Sequence, residues 1–288
     1  IGVSTLYFYF KKKSIIRELV NSMKNPFYPK QMDFLIKKVF FKDKNLVVAI
    51  SKELEILSLK NKIRSIWQRP NPFDEKKFYI DYKNKYKLRK LYSKFSKTDV
   101  VLCYVASLID TKNHIFLLKV LKLLPTNFKL IISGPENINN LNMYSKISKE
   151  IKNLSLSSRI QFEKKFIDNI DEYMKLSDVY LIPSNKEGFG TSILEAQACG
   201  IPVVSFLLKN VNDNEIIEGE GGYFSSASEK MFAKKIKLSL KISKKTLIKN
   251  SKFISSRASA KVIDKLYFKK ISQLANSKNY YQLKYNNN

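Results

Sequence analysis

The chain has 288 residues, 44% of them apolar, which is enough for two domains with real cores and excludes global disorder. It carries 53 Lys and Arg against 25 Asp and Glu, a formal charge of +28, with one His and two Cys. His114 alone cannot build a His-based zinc or iron site. Cys103 and Cys199 are isolated, which excludes a Cys-x-x-Cys knuckle and a disulfide framework and suits a reducing cytosol.

In chain order, NLVVAI at 45–50 reads as a buried strand, followed by Ser51 as a helix cap and by Leu54, Leu57 and Leu59 behind it. Residues 63–67 read as another strand. RPNPFD at 69–74 has two prolines in four residues, so it is a turn or linker. The polar, basic stretch 76–97 reads as a connecting helix. From Asp99 the alternation is regular. Strands are expected at 100–106, 128–133, 159–163, 178–182 and 202–206, with helices at 113–124, 139–152, 168–176 and 191–199. The strands are apolar throughout, as when both faces are covered, so the pattern means a parallel, doubly wound α/β sheet. Further helices fall near 229–241 and 258–275, and the polar tail from Ser277 is expected to fray. The longest apolar stretch, 100–109, is about half the ~20 residues of a membrane-spanning helix.

Charge is uneven. Residues 1–100 hold 24 basic and 9 acidic side chains, net +15, whereas residues 101–200 hold 12 and 10, net +2. A nucleic-acid partner is the first reflex for such a charge. Only six of the 53 basic residues are Arg, however, and no nucleic-acid motif is present, so none is expected. The alternatives are a solvated, lysine-inflated surface and attraction of the first hundred residues to an anionic membrane.

The informative segment is EGFGTSILEAQACGIPVV, 187–204, which follows the strand DVYLIPS. Glu187 falls in a loop at a strand's carboxyl end. Gly188 and Gly190 let backbone approach a ligand there. A helix starting near Thr191 points free N–H groups at the same place, and Glu195 lies in its first turn. Carboxylates accept hydroxyl hydrogen bonds and amides donate to phosphate, so this set suits a phosphorylated polyol. Structural readings stand beside these. Ser192-x-x-Glu195 is also a capping box, Glu187 also fits a solvated turn, and Gly200 with Pro202 is an ordinary helix stop. SLIDTKN, 107–113, follows another strand, and its Lys112 either reaches a phosphate or is one more surface lysine. Gly134 ends the strand FKLIIS on the same rim. His114 reads as a polar residue at a helix start. Asp213-x-Glu215 resembles a metal pair but lacks further ligands, so no metal site is expected.

In this order the segments resemble the retaining glycosyltransferases of family four, which have the GT-B architecture. The resemblance runs over about 45–275, and its most specific element is the Glu-x7-Glu spacing of Glu187 and Glu195. It implies an α/β fold of two Rossmann-like domains with a cleft between them, the first incomplete. The expected divisions are 1–97 for a partial acceptor-side domain and linker, 98–255 for a donor-binding domain, and 256–288 for a helix packing back toward the first domain and a frayed tail. Glu187 would hold donor sugar hydroxyls as the catalytic residue and Glu195 the ribose. Lys112 would neutralise the diphosphate, with Gly134, Gly188, Phe189, Gly190 and Thr191 around the donor. Neither metal nor cofactor is implied, since Lys112 and the helix terminus supply the positive field.

The partners implied are a nucleotide-sugar donor and a glycan or lipid-linked acceptor. The setting is cell-surface polysaccharide synthesis by a cytoplasmic protein at the inner face of an anionic membrane. Where the family carries Gly-Arg before the lysine, this chain has Ala106-Ser107. That departure leaves a truncated or degenerate donor-binding module without turnover as the first alternative, and the charge alone leaves a basic nucleic-acid-binding protein as a lesser one.

Overall fold

The computed structural model describes residues 16–19, 46–60, 66–136 and 142–276, and the tail from Ser277 lies outside them. The chain divides into two compact units, one of Ile1–Pro72, Glu187–Gly190 and Arg257–Asn288, the other of Phe73–Lys186 and Thr191–Ser256.

The first unit holds a parallel sheet of β1 (Ile16–Leu19), β2 (Leu46–Ala49) and β3 (Ile66–Gln68), in that spatial order. β2 is buried along its whole length, as its unbroken apolar run requires. The Ser51 hydroxyl accepts from the Leu54 amide at 3.4 Å and so caps α1 (Lys52–Lys60) as expected. The C-terminal helix, α9 (Ala260–Asn276), belongs to the same unit. Its Tyr267 sets its ring edge-on to Trp67 at 5.0 Å, and its hydroxyl accepts from Arg69 at 2.9 Å.

The second unit is built on six parallel strands: β4 (Val100–Val105), β5 (Phe128–Ser133), β6 (Ile160–Glu163), β7 (Val179–Ile182), β8 (Val203–Phe206) and β9 (Gly222–Ser225). The five strands expected from the sequence here lie within one residue of these bounds. The spatial order is β6-β5-β4-β7-β8-β9, so the winding reverses between β4 and β7. Ligands of such sheets bind outside the carboxyl ends of the strands at that reversal.

Between the strands lie α3 (His114–Lys122), α4 (Met143–Asn153), α5 (Ile170–Leu176) and α6 (Thr191–Ala198). α7 (Glu229–Ser239) and α8 (Lys244–Ala258) follow β9. One face of the sheet buries Leu102, Leu130, Ile132 and Leu181 against Leu117, Leu121, Ile147 and Ile236. Phe116, Phe206 and Phe232 meet edge-on in the same core, with centroids 5.1–5.6 Å apart. Each such buried side chain contributes roughly 1.5–3 kcal/mol.

The structure corrects one reading and adds two elements. The stretch 76–97 is helical only at α2 (Lys85–Tyr92). Before it the Asp74 carboxylate accepts from the Lys76 amide at 2.9 Å and Asp81 from the Asn84 amide at 3.3 Å, turns that compete with a helix. Strand β9 escapes the sequence pattern because its GYFS follows a Gly-rich turn and is only four residues long. Helix α8 escapes it because Lys, Ser, Thr and Asn blur its apolar stripe.

Candidate functional site

Three loops meet where the winding reverses. The first follows β4. Its Asp110–Lys112 form a single 3-10 turn, closed by Asn113 in the left-handed conformation (φ 57°). The second follows β5 and holds Gly134. The third follows β7 and runs through Ser184 and Asn185. Backbone hydrogen bonds lock them: Ala106 N to Ser133 O at 3.0 Å, Leu108 N to Pro135 O at 2.9 Å, and Asn185 N to Thr111 O at 2.9 Å. Residues far apart in sequence therefore share one rim.

Gly134 is on this rim for a steric reason. A Cβ placed there would lie 1.8 Å from the Ala106 carbonyl oxygen. The glycine lets the β5 loop press against the loop that carries Lys112. Gly134→Ala is expected to force the two loops apart and to cost about 1–3 kcal/mol in chemical denaturation.

Lys112 is half-buried at the end of its turn. The sequence gives no hint of what holds it. The Tyr104 hydroxyl, from within β4, donates to the Lys112 carbonyl at 2.8 Å and lies 3.1 Å from the Ser184 hydroxyl. One buried tyrosine thus ties the first loop to the third. His114, the first residue of α3, is buried against the Tyr104 ring at 5.0 Å. Burial, with the nearby Lys112 charge adding to it, pushes its pKa down to about 4, so the imidazole is neutral and packs as a core group.

After β7 the chain passes Glu187 and Gly188, both half-buried, then Phe189, which is buried, and Gly190, at φ 82°. That left-handed glycine turns the chain into α6 at Thr191. Thr191 is already helical, so Glu195 falls in the second turn of α6 and not the first. Ser192 then lies inside the helix, which removes the capping-box reading. The helix stops as expected. Gly200, at φ 71°, donates to Gln197 O at 2.9 Å, and Ile201 donates to Ala196 O at 3.0 Å, a Schellman closure.

Glu195 is the most perturbed carboxylate of the rim. Burial raises its pKa from 4.5 to about 7. Its charge is felt by Tyr180, whose hydroxyl donates to the Val105 carbonyl at 3.3 Å at the end of β4. The second unit therefore carries Lys112 and Gly134 on loops after its strands, and Thr191 and Glu195 on α6. Glu187, Gly188, Phe189 and Gly190 belong to the first unit.

Among the described residues no group of three or more His, Cys, Asp or Glu is placed to hold a metal. Asp213 instead accepts from the Asn210 amide at 3.0 Å, and Glu215 is buried. Cys103 and Cys199 are buried free thiols, and burial pushes Cys199 up to about 12. Among the described residues no helix is long and apolar enough to cross a membrane.

The sequence matches the family described as glycosyl transferases group 1 over residues 89–254. It is 34% identical over 101 residues to the N-acetyl-alpha-D-glucosaminyl L-malate synthase of Bacillus anthracis, covering 35% of this chain and 24% of that protein. It is 26% identical over 214 residues to the capsular polysaccharide biosynthesis glycosyltransferase CapM of Staphylococcus aureus, covering 70% of this chain and 54% of that one. The chain therefore spans 54% or less of the length of these two relatives. Among solved structures, Anabaena HepE in complex with UDP shares the fold with a TM-score of 0.78 at 20% identity, over 91% of this chain and 73% of that one. The α/β, GT-B class read from the sequence is borne out by this likeness and by the parallel sheets of the two units. With more than half of its residues inside the family match, the chain belongs to the glycosyl transferases group 1 family.

Proposed function

We propose that the chain is a glycosyltransferase that moves a sugar from a nucleotide-sugar donor to a glycan or lipid-linked acceptor, with retention of configuration, in cell-surface polysaccharide synthesis. The observation that carries this reading is the interlocked rim at the β4/β7 reversal, which bears Lys112, together with the start of α6 and its part-buried Glu195. The UDP in the HepE structure supports a nucleotide donor of that kind. In this reading Lys112 and the first amides of α6 face the diphosphate, and Glu195 accepts the ribose hydroxyls. Glu187, with Gly188, Phe189 and Gly190, faces the transferred sugar. The positive field comes from Lys112 and the helix start, with no metal or cofactor required.

The test separates binding from transfer. Lys112→Ala is expected to weaken UDP binding by about tenfold in calorimetry, the loss of one charged hydrogen bond. Glu187→Ala is expected to keep UDP binding and to lose about a hundredfold in transfer rate, since it acts on charge that develops during the reaction. Wild-type turnover from the Glu187→Ala protein would remove the assignment. A second reading, donor binding without turnover, is favoured by Ser107 standing where the family carries a diphosphate-binding arginine. UDP binding without sugar transfer by the wild-type chain would select it.

We place the protein in the cytoplasm, at the inner face of an anionic membrane. The net +15 of the first hundred residues supports this, as do exposed Lys87, Lys90, Tyr86 and Leu91 on α2. Cosedimentation with phosphatidylglycerol vesicles is expected at low salt and should fall as ionic strength passes about 0.15 M. Equal recovery with neutral vesicles would exclude the membrane partner.

A further inference from the structure

Besides the rim at the β4/β7 reversal, the second unit has a pocket of about 810 Å³ at the carboxyl ends of β8 and β9. That size lies in the range of roughly 300–1,000 Å³ typical of small-molecule sites. We propose that this pocket is a subsite for a sugar ring of the acceptor, and that it takes a ring bearing no acidic group. The inference rests on the glycosyltransferase reading and adds to it a place and a chemical class for the acceptor.

Three observations converge. The first is position. Asn185, from the loop between β7 and Glu187, lines the pocket, so one short loop borders both the donor rim and this cavity. The second is the mixture of surfaces. Leu207, which is 54% exposed, and the partly exposed Phe224 offer apolar area. Asp213, Ser225 and Ser226 add hydroxyl and carboxylate groups. A pyranose has this same duality, with an apolar face of C–H groups and an equator of hydroxyls.

The third is charge. The chain holds 53 basic residues, yet no described Lys or Arg lines the pocket, while Asp213 and Glu218 do. Lys235 reaches Glu218 at 2.9 Å but is not part of the lining, and Glu218 also accepts from the Phe224 amide at 3.0 Å. Asp213 thus supplies the uncompensated charge. It repels a phosphate or a uronic acid and accepts hydrogen bonds from hydroxyl, amide or amine groups.

The test uses the full chain with UDP present and saturation-transfer NMR on two soluble probes, methyl α-glucoside and methyl α-glucuronide. The glucoside is expected to receive saturation and the glucuronide to receive little. Leu207→Asp, at an exposed position, should reduce the glucoside signal about tenfold while UDP affinity stays unchanged. Asp213→Asn keeps an acceptor for the Asn210 amide and removes the charge, so the discrimination against glucuronide should largely disappear. Equal signals from both probes on the wild type, or a glucoside signal indifferent to Leu207→Asp, would overturn the subsite. Failure of the wild type to bind UDP would instead overturn the donor reading.

Discussion

Arg89→Ala is expected to destabilise the second unit by about 3 kcal/mol or more, since each buried carbonyl left without its donor costs about 1–3 kcal/mol. Arg89 is 2% exposed, and all five of its polar contacts are internal. Its Nε and Nη2 donate to the Leu176 carbonyl at 3.2 and 2.9 Å. Nη1 donates to the carbonyls of Asp99 at 2.9 Å and Ser96 at 3.3 Å, and Nη2 also meets the Asp178 carboxylate at 3.0 Å. That carboxylate in turn accepts from the Val101 amide at 2.7 Å and from Lys85 at 2.5 Å.

One planar fork thus pins α2 to the amino ends of β4 and β7, the two strands between which the winding reverses. Without it, the carbonyls of Leu176, Asp99 and Ser96 each lose a donor in a region water reaches poorly, and the Asp178 carboxylate keeps only Lys85 and the Val101 amide. Arg89→Lys keeps a charge near Asp178 but cannot serve the carbonyls together, so it is expected to recover less than half of the loss. Urea denaturation measures both variants. A midpoint within the wild-type error, at unchanged slope, would show that the fork contributes nothing net.

What could be read from the sequence, and what could not, follows the range of the forces involved. Strands such as VVLCYV and FKLIIS are legible because burial on both faces leaves an unbroken apolar run. The Glu187–Glu195 spacing can be seen in the sequence because a fixed spacing next to a strand end is a local feature. Arg89, by contrast, looks like one more cation in a basic helix, since its Leu176 partner is 87 residues away. Tyr104 reads as a core aromatic, and only the folded sheet brings its hydroxyl to Ser184, 80 residues on. Gly134 falls on the rim by its position after a strand, but its reason, the carbonyl of Ala106 against its α-carbon, exists only in three dimensions. The environment of Glu195 is likewise hidden. The spacing marks the carboxylate, whereas its burial depends on strands before and after it.

That burial yields the second large effect. The Glu195 carboxyl has a pKa of about 7 in the folded chain against 4.5 for the ordinary side chain, and burial is the cause. Below pH 4.5 the group is protonated folded or unfolded, and it costs nothing. Between pH 4.5 and 7 the unfolded chain releases the proton while the folded chain keeps it, so stability falls as pH rises. Above pH 7 the loss is complete at about 3 kcal/mol, since each tenfold difference in proton affinity between the two states is worth about 1.4 kcal/mol. Glu195→Gln has nearly the same shape and no proton to lose. It is expected to match the wild type in melting temperature at pH 4.5 and to exceed it at pH 8.

A purely structural residue would be better as glutamine at neutral pH, and the donor reading explains why glutamate stands there. Ribose hydroxyls donate to a carboxylate more strongly than to an amide, so UDP should bind the variant about tenfold more weakly at pH 8. Wild-type affinity should rise through pH 7 as the carboxylate forms, and the variant's should stay flat. Calorimetry at pH 6 and pH 8 distinguishes the two proteins. A variant that is more stable at pH 8 and binds UDP as well as the wild type would leave Glu195 as a buried acid with no part in donor recognition.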